Sequence, residues 1–399
     1  MENKKEMRSW LNKFKLSHPL VIAGPCSAET ENQVLKTAHD LKDTDVTVYR
    51  AGIWKPRTRP GMFEGVGAIG LGWLKKVKEE TGLLTATEVA NSNHVKLALD
   101  HDIDVLWIGA RSAVSPFIVQ EIAEALDGTD KIVLIKNPIN PDLKLWIGAR
   151  SAVSPFIVQE IAEALEGTDK IVLIKNPVNP DLKLWIGGVE RLYSSNIKKI
   201  GVIHRGFSTY DKSRYRNNPE WQIPIELQNR FPDIPLICDP SHICGRRDII
   251  QDISQTALDL NFDGLMVETH CDPDNAWSDA KQQITPKILI KMMNDLKMRT
   301  LTNDEIDYKN QLNTLRTQID VIDHSLVDTL GKRMKVAVSI GKLKKKKNVA
   351  VLQTKRWNEI LGKMILEGEK KDLSEEFILR MFKAIHQESI NNQKKVINN

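Results

Sequence analysis

The sequence predicts an α/β chain in which a (β/α)8 barrel is followed by a small all-α domain. Two observations support this prediction. Short apolar runs with strand character alternate with amphipathic helical stretches over the first three quarters of the 399 residues. Beyond residue 300 the alternation stops, and one long helical stripe begins. We therefore expect a barrel domain at 1–300 and a helical domain at 301–399.

The apolar runs supply eight candidate strands: LVIAGPC, VTVYRAG, LLTATEV, VLWIGAR, KIVLIKN, IGVIHRG, PLICDPS and GLMVETH. Helical stretches such as ENQVLKTAHDLK separate most of them. In a parallel barrel the carboxyl ends of all strands share one face, where barrel enzymes place their chemistry. Polar residues directly after these runs are therefore the first candidates for a functional site.

A tandem repeat complicates the count of strands. Residues 106–144 recur at 145–183 with 37 identities in 39 positions. Removing one copy leaves eight strands, whereas keeping both gives ten, which would change the radius of the barrel. We expect one copy to complete the barrel and the other to be extruded as an insertion. The first copy is expected to supply strand four, and strand five could come from either copy.

Four residues at predicted strand ends or in the loops beyond them are candidate metal ligands: Cys26, His242, Glu268 and Asp279. A thiolate, an imidazole and two carboxylates together suit a borderline divalent ion such as Mn, Fe, Co or Zn. A single such residue after a strand is usually a loop or cap residue. Four of them on one face of a barrel favour a metal site.

Composition and charge indicate a globular protein and limit the kinds of partner it can bind. An apolar share of 41% and a charged share of 27% are typical of a globular protein. No apolar run reaches the length of a membrane span, and the four cysteines show no zinc-like pairing. The net charge of +5 is spread among strand ends and one late run, so small anionic substrates explain it better than nucleic acid. We expect a cytoplasmic enzyme without membrane or nucleic-acid partners.

Several motifs together resemble those of 3-deoxy-arabino-heptulosonate 7-phosphate (DAHP) synthase, in the smaller branch of that family. They are GPCS, KPRT, WIGAR, IKNP, HRG, DPSH and the ETH…WSD pair, over roughly residues 16–298. The related 3-deoxy-octulosonate 8-phosphate synthases resemble the rest but lack KPRT. The resemblance implies a metal-dependent condensation of phosphoenolpyruvate with erythrose 4-phosphate to DAHP and phosphate, with Mn as the first choice of metal.

The resemblance also implies roles for cations at the strand ends, which suit phosphate and carboxylate groups. Arg111, Arg205 and the lysine of strand five, Lys136 or Lys175, would bind the phosphoenolpyruvate phosphate. Arg50 and Lys55 would serve its carboxylate and the reacting centre. Arg57 and Thr58 would bind the phosphate of erythrose 4-phosphate. Any one such cation is more often a surface residue; five or six on one face favour the site.

The helical stripe, with Leu315, Ile319, Ile322 and Leu326 at heptad-like spacing, must meet partner helices. One long and two shorter helices resemble the all-helical chorismate mutase, which converts chorismate to prephenate and interlocks as a homodimer. The matching residues would be Arg316, Arg333, Lys344, Arg356 and Gln393 in catalysis, with Gln353 and Ser389 in substrate binding. Gln353 and Trp357 depart from the family, whose best-known members carry Asp and Glu there.

Two alternatives remain open from the sequence. The barrel could be an octulosonate synthase, although KPRT and the helical tail argue against it. The duplication could instead disable the barrel. The helical domain would then serve only for dimerisation or as a feedback sensor that binds prephenate or chorismate.

Overall fold

The computed structural model describes residues 6–398 apart from 15, 17–18, 56–60, 110–111, 136–158, 160–161, 164, 167–169, 210–213 and 301–303. Contacts within the chain divide it into two compact units, 1–299 and 300–399. The first is an α/β barrel and the second is helical.

The barrel is closed by parallel strands that pair in chain order, with the last strand bonded to the first. The strands are β1 (Leu20–Gly24), β2 (Val46–Arg50), β3 (Leu84–Val89), β4 (Val105–Ile108), β5 (Ile132–Ile135), β6 (Ile171–Lys175), β7 (Lys199–His204), β8 (Leu236–Cys238) and β9 (Gly264–Glu268). All nine pairings are parallel, so the carboxyl ends meet at one face. This confirms the barrel class.

The number of strands differs from the predicted eight because both copies of the repeat contribute a strand. β5 comes from the first copy and β6 from the second, and they pair through Val133–Val172, Leu134–Leu173 and Ile135–Ile174. The prediction that one copy is extruded is wrong for these segments. Each copy carries a KIVLI run, both runs form parallel strands, and a barrel can widen by one strand. The second WIGAR run lies outside the described residues. Insertion also buries an apolar run that extrusion would expose.

Helices cover the barrel between the strands. They are α1 (Glu6–Ser9), α2 (Glu31–His39), α3 (Ile69–Thr81), α4 (Ser92–Asp100), α5 (Pro116–Leu126), α6 (Leu182–Ser194), α7 (Gln222–Arg230), α8 (Pro240–Cys244), α9 (Ile250–Asp259) and α10 (Pro286–Asp295), with 3₁₀ turns at Trp10–Phe14, Ser112–Val114, Pro273–Asn275 and Ala280–Gln282. Side-chain caps begin several of them: the Asn91 side chain accepts the His94 N–H at 2.8 Å.

Two apolar layers make up the core of the barrel. Alternate strand residues such as Ile22, Val48 and Met266 fill the interior, and the residues between them pack outward against the helices. Trp10, from the turn before β1, packs against the residues that fill the barrel interior and is 1% exposed. Its indole N–H donates to the Ile200 carbonyl, so an aromatic ring lies at the amino end of the strands.

The second unit consists of one long and two shorter helices, as predicted: α11 (Ile306–Lys347), α12 (Thr354–Glu369) and α13 (Glu375–Asn398). α13 packs along α11, where Gly341 allows the close approach: a Cβ there would lie 3.1 Å from the Gln393 Cα. Leu315, Ile319 and Ile322 on α11 remain more than half exposed in this chain.

Candidate active site at the carboxyl ends of the strands

The period of two along each strand decides which polar residues enter the barrel. Val48, Leu173 and Met266 face the interior, and the interior position two residues later is polar in each case. Those later residues are Arg50, Lys175 and Glu268, all at most 4% exposed. Just beyond the ends of β7 and β8 the same step leads from Ile203 to Arg205 and from Ile237 to Asp239. The strands therefore deliver buried charges to one end of the barrel.

Three of the four candidate metal ligands lie together at this end. Cys26, Glu268 and Asp279 each offer a ligand atom, and these atoms lie within 4.8 Å of one another. The Cys26 thiol donates to Asp279 Oδ2 at 3.3 Å. The fourth candidate, His242, is adjacent, with its Nε2 3.9 Å from Glu268 Oε1.

This donor set fits a divalent cation. Glu268 Oε1 is a buried carboxylate oxygen without a hydrogen-bond partner, and it faces Arg50 and His242. A thiol, an imidazole and two carboxylates suit a borderline ion such as Mn, Fe, Co or Zn. Burial, and then Glu268, raise the pKa of the Cys26 thiol, so binding of a metal through its thiolate would release a proton.

Asp239, which the sequence reasoning missed, holds His242 in place. Its buried carboxylate accepts from His242 Nδ1 at 2.9 Å and from Lys175 Nζ at 2.7 Å, and it caps α8. Burial alone would raise the pKa of Asp239, but His242 and Lys175 outweigh burial and hold that pKa well below its usual value. Because Nδ1 is engaged by Asp239, Nε2 is the nitrogen left for a ligand. The Asp-Pro step at a helix start was the available signal.

Two more of the predicted cations, Lys55 and Arg205, lie at the carboxyl end of the barrel. Lys55 Nζ lies 2.9 Å from Cys26 Sγ. Arg205 follows β7, and its backbone N–H donates to Asn176 Oδ1 at 2.6 Å. Burial lowers the pKa of Arg205, although nearby Asp239 opposes that effect. The predictions for Arg57, Thr58, Arg111 and Lys136 fall outside the described residues.

Below the charged layer, Glu88 and Trp107 form a second polar contact that the sequence reasoning missed. The indole N–H of Trp107 donates to Glu88 Oε2 at 2.7 Å, and the Arg50 guanidinium lies 5.2 Å from the Trp107 ring. Gly109 provides the space, since a Cβ there would lie 2.2 Å from Glu88 Oε1. A small cavity of about 20 Å³ lies between this contact and Lys175.

A separate cavity of about 290 Å³ lies within the helical unit. Six of the seven residues predicted for that domain line it: Arg333, Lys344, Gln353, Arg356, Ser389 and Gln393. The seventh, Arg316, is an exposed residue of α11 that is not part of the described lining.

The cavity is basic, and half-buried hydrogen bonds hold two of its cations. Arg333 Nη1 donates to Ser389 Oγ at 2.5 Å, and Lys344 Nζ donates to the Val351 carbonyl at 2.6 Å. Gln393 is 8% exposed, and its Oε1 has no hydrogen-bond partner. The described lining contains three cations and no carboxylate, so it suits an anionic ligand.

Trp357 lines the same cavity, stacked on His386 with ring centroids 4.0 Å apart and planes at 13°. Burial, and then Arg333, lower the pKa of His386. The stack therefore pairs an indole with a neutral imidazole at neutral pH. The sequence reasoning noted Trp357 as a departure but missed His386.

Comparison with known proteins identifies both units. A model of the DAHP synthetase I family matches residues 15–302, which is more than half of the chain. The chain belongs to this family. The chorismate mutase type II model matches residues 315–394. The chain therefore carries a DAHP synthase domain and a chorismate mutase domain, which support both activities.

Among curated relatives, the phospho-2-dehydro-3-deoxyheptonate aldolase of Thermotoga maritima is 27% identical over 277 residues, covering 69% of this chain and 68% of the relative. A crystal structure of this aldolase (DAHP synthase) from the same organism matches with a TM-score of 0.53 at 25% identity, covering 70% of this chain and 68% of that one. The bifunctional chorismate mutase/prephenate dehydratase of Buchnera aphidicola subsp. Schizaphis graminum is 36% identical over 90 residues, or 23% of each chain. Among the described residues no helix is long and apolar enough to cross a membrane.

Proposed function

We propose that the DAHP synthase domain condenses phosphoenolpyruvate with erythrose 4-phosphate in a metal-dependent reaction. The observation that carries this proposal is the group formed by Cys26, Glu268, Asp279 and the neighbouring His242, surrounded by cations. Mn is the metal we expect, with Fe, Co or Zn as alternatives. When bound, the metal supplies Lewis acidity toward the aldehyde oxygen of the acceptor.

Different cations of the site bind different groups of the substrates. Phosphoenolpyruvate carries a phosphate and a carboxylate, and both groups suit arginine and lysine donors. We assign Lys175 and Arg205 to its phosphate, and Arg50 with Lys55 to its carboxylate and reacting carbon. Lys55 lies 2.9 Å from Cys26 Sγ, so the carboxylate subsite and the ligand cluster adjoin one another. Arg111 would add to the phosphate subsite, and Arg57 and Thr58 would hold the phosphate of the second substrate.

These groups accomplish the condensation by orientation and charge compensation. The new carbon–carbon bond joins the methylene carbon of phosphoenolpyruvate to the aldehyde carbon of erythrose 4-phosphate, water adds to the enol carbon, and inorganic phosphate leaves. Fixed cations around the leaving phosphate stabilise the charge that develops on it. Because they are held by buried partners such as Asp239, little reorganisation is needed.

The identity of the acceptor sugar is tested by comparing two aldehydes as substrates. The alternative assignment, an octulosonate synthase, would use arabinose 5-phosphate as the acceptor. We expect phosphoenolpyruvate consumption with erythrose 4-phosphate and none above background with arabinose 5-phosphate. Preference for arabinose 5-phosphate would overturn the assignment.

For the helical unit we propose the rearrangement of chorismate to prephenate. A pericyclic reaction of a dicarboxylate requires no covalent catalysis, and positioned cations suffice. Arg333, Arg356 and Lys344 supply them around one cavity, and Gln393 offers an unpartnered amide oxygen. We also propose that α11 pairs with that of a second copy, because Leu315, Ile319 and Ile322 of its apolar stripe are each more than half exposed. Arg316, on that exposed helix, would then serve the partner's cavity.

Chorismate conversion by the full chain tests this assignment, with Arg333→Ala as the loss variant and Lys370→Ala, on the surface of the same unit, as its control. Loss only in Arg333→Ala supports the proposal, whereas no conversion by the unaltered protein would leave a dimerisation or feedback module.

The four described cysteines are all free thiols, which supports a cytoplasmic location.

A further inference from the structure

Gln282 links the two carboxylates of the ligand group. It is 1% exposed, and its Nε2 donates to Glu268 Oε2 at 2.7 Å. Its Oε1 accepts from Arg216 Nη1 at 2.7 Å, and the same Arg216 nitrogen donates to Asp279 Oδ1 at 3.2 Å. A continuous chain of contacts thus runs from Glu268 through Gln282 and Arg216 to Asp279.

This chain of contacts engages one oxygen of each carboxylate and leaves the other for the ligand group. Glu268 uses Oε2 toward Gln282, while its Oε1 has no hydrogen-bond partner and lies 3.2 Å from Arg50 Nη2, on the side of the ligand group. Asp279 uses Oδ1 toward Arg216, while its Oδ2 accepts from the Cys26 thiol. Rotation of either carboxylate would break a contact to Gln282 or Arg216. The arrangement therefore fixes which oxygens face a bound cation.

The backbone around both linking residues is shaped for this contact. Arg216 packs against Gly245, whose φ is +64° and where a Cβ would lie 2.5 Å from the Arg216 Cβ. Its neighbour Asn217 donates to the carbonyl of His242 at 2.6 Å, so the loop that carries Arg216 is joined to the helix that carries His242. Asp279 takes a left-handed conformation with φ +46°, which starts the turn containing Gln282.

We propose that Gln282 and Arg216 are positioning residues that set the separation and orientation of Glu268 and Asp279 for metal binding. This inference rests on the proposed metal dependence of the barrel. Contacts beyond the direct ligands orient those ligands, and losing one costs about ten- to a hundredfold in metal affinity. Gln282 and Arg216 together bridge two carboxylates that would otherwise repel each other, and the charge of Arg216 compensates theirs.

The charge-neutral test is Gln282→Met, which keeps the volume of the side chain and removes both hydrogen bonds. Mn²⁺ is titrated into the metal-free full chain, and free Mn²⁺ is followed by electron paramagnetic resonance. We expect the dissociation constant to rise about ten- to a hundredfold. Gln255→Met, which removes an exposed amide that bonds Asp259 and the Lys297 carbonyl, serves as the matched control and should bind as the unaltered protein does.

Arg216→Met separates positioning from simple charge. If Arg216 only competed with the cation, removing its charge would tighten Mn²⁺ binding. If it positions Asp279, binding weakens despite the lost repulsion, and the double variant loses less than the sum of the single losses. Arg214→Met, two residues away and stacked on Tyr215, is the charge-matched control.

Weaker Mn²⁺ binding in both single variants, with thermal unfolding unchanged, supports the proposal. Unchanged binding in Gln282→Met, or tighter binding in Arg216→Met, overturns it. Should the unaltered protein bind no Mn²⁺ at all, the metal assignment itself fails, and that result is distinguishable from failure of the positioning role. Should Arg216→Met unfold early, Arg216→Lys replaces it, since it keeps the charge but not the planar guanidinium that reaches both partners. Should Gln282→Met unfold early, Gln282→Leu replaces it. Each substitute should weaken Mn²⁺ binding, and unchanged binding would overturn the proposal.

Discussion

The two ends of the barrel carry the same kinds of charged side chain but arrange them differently. At the amino end, Lys78 and Lys131 pair with Asp102, whose side chain is 64% exposed. At the carboxyl end, Lys175 pairs with Asp239 at 3% and 0% exposure. Ion pairs in water contribute little, whereas buried charges are costly unless partners surround them. Burial and convergence of the charges, rather than their presence, therefore distinguish the carboxyl end from the amino end.

Apolar packing shows the same contrast. Trp10 lies at the amino end with the interior apolar layer around it, and this packing serves stability. At the carboxyl end, Arg50, Glu268 and Lys175 occupy the interior positions, and Glu268 Oε1 lacks a hydrogen-bond partner. Barrels commonly place stability at the amino face and chemistry at the carboxyl face.

The largest effect is expected from Cys26→Ala. If Cys26 is the metal ligand we propose, its loss removes several kcal/mol of transition-state stabilisation, and condensation should fall by about a thousandfold or more. Rates of phosphoenolpyruvate consumption and of chorismate conversion are measured on the same preparation. Cys271→Ala, at a half-buried thiol, is the control and should retain both rates. Full Mn²⁺-dependent condensation by Cys26→Ala would show that the metal site is misassigned.

Lys175 and Lys170 lie at opposite ends of β6 and offer a matched comparison. Lys175→Met removes the buried lysine partner of Asp239 and leaves His242 as its remaining charged contact. This should cost about 3–5 kcal/mol of unfolding free energy, together with most of the condensation rate. Lys170→Met removes hydrogen bonds to Thr129 at the amino end and should cost less than about 2 kcal/mol.

Denaturant unfolding and condensation rates check this pair of variants. A selective loss of condensation in Lys175→Met supports the division between the two ends. Equal loss of condensation in both variants would contradict it, since the amino end would then be as important for chemistry as the carboxyl end.

The smallest effect is expected from Asp102→Asn. Hydrogen bonds from Lys131, and then from Lys78, lower the pKa of Asp102 to about 2 from its ordinary 3.8. A depressed pKa in the folded state stabilises the protein above pH 3.8, and this contribution is lost as the pH falls toward 2. Because the side chain is mostly exposed, the loss at neutral pH should stay below about 1 kcal/mol. Unfolding curves at pH 7 and pH 3 test this, and a constant difference would contradict it.

The sequence predicted the barrel, the helical unit and most of the charged residues, because strand-end positions follow directly from the apolar runs. Arg50, Lys175 and Glu268 could be found in this way, since each occupies an interior position at its strand end. Gln282 and Arg216 could not, because they reach the site from loops and their roles depend on which atoms meet. Periodicity carries no information on such contacts.

The predicted number of barrel strands was wrong for a different reason. The two KIVLI runs are equally apolar, and sequence alone does not state whether a barrel can close around one more strand. The structure pairs β5 with β6 in register, so the second copy extends the sheet between β5 and β7. Of the two lysines that follow these runs, Lys175 is buried against Asp239. Burial of an apolar strand outweighed the cost of a wider barrel.

The most direct test of the central claim is phosphoenolpyruvate consumption by the full chain with erythrose 4-phosphate and Mn²⁺, before and after a chelator. We predict turnover that the chelator abolishes and that added Mn²⁺ restores, with chorismate conversion unaffected throughout. Turnover that persists in the chelator would contradict the metal site. No turnover at all, with turnover restored by deletion of residues 145–183, would show that the nine-stranded barrel does not support the chemistry.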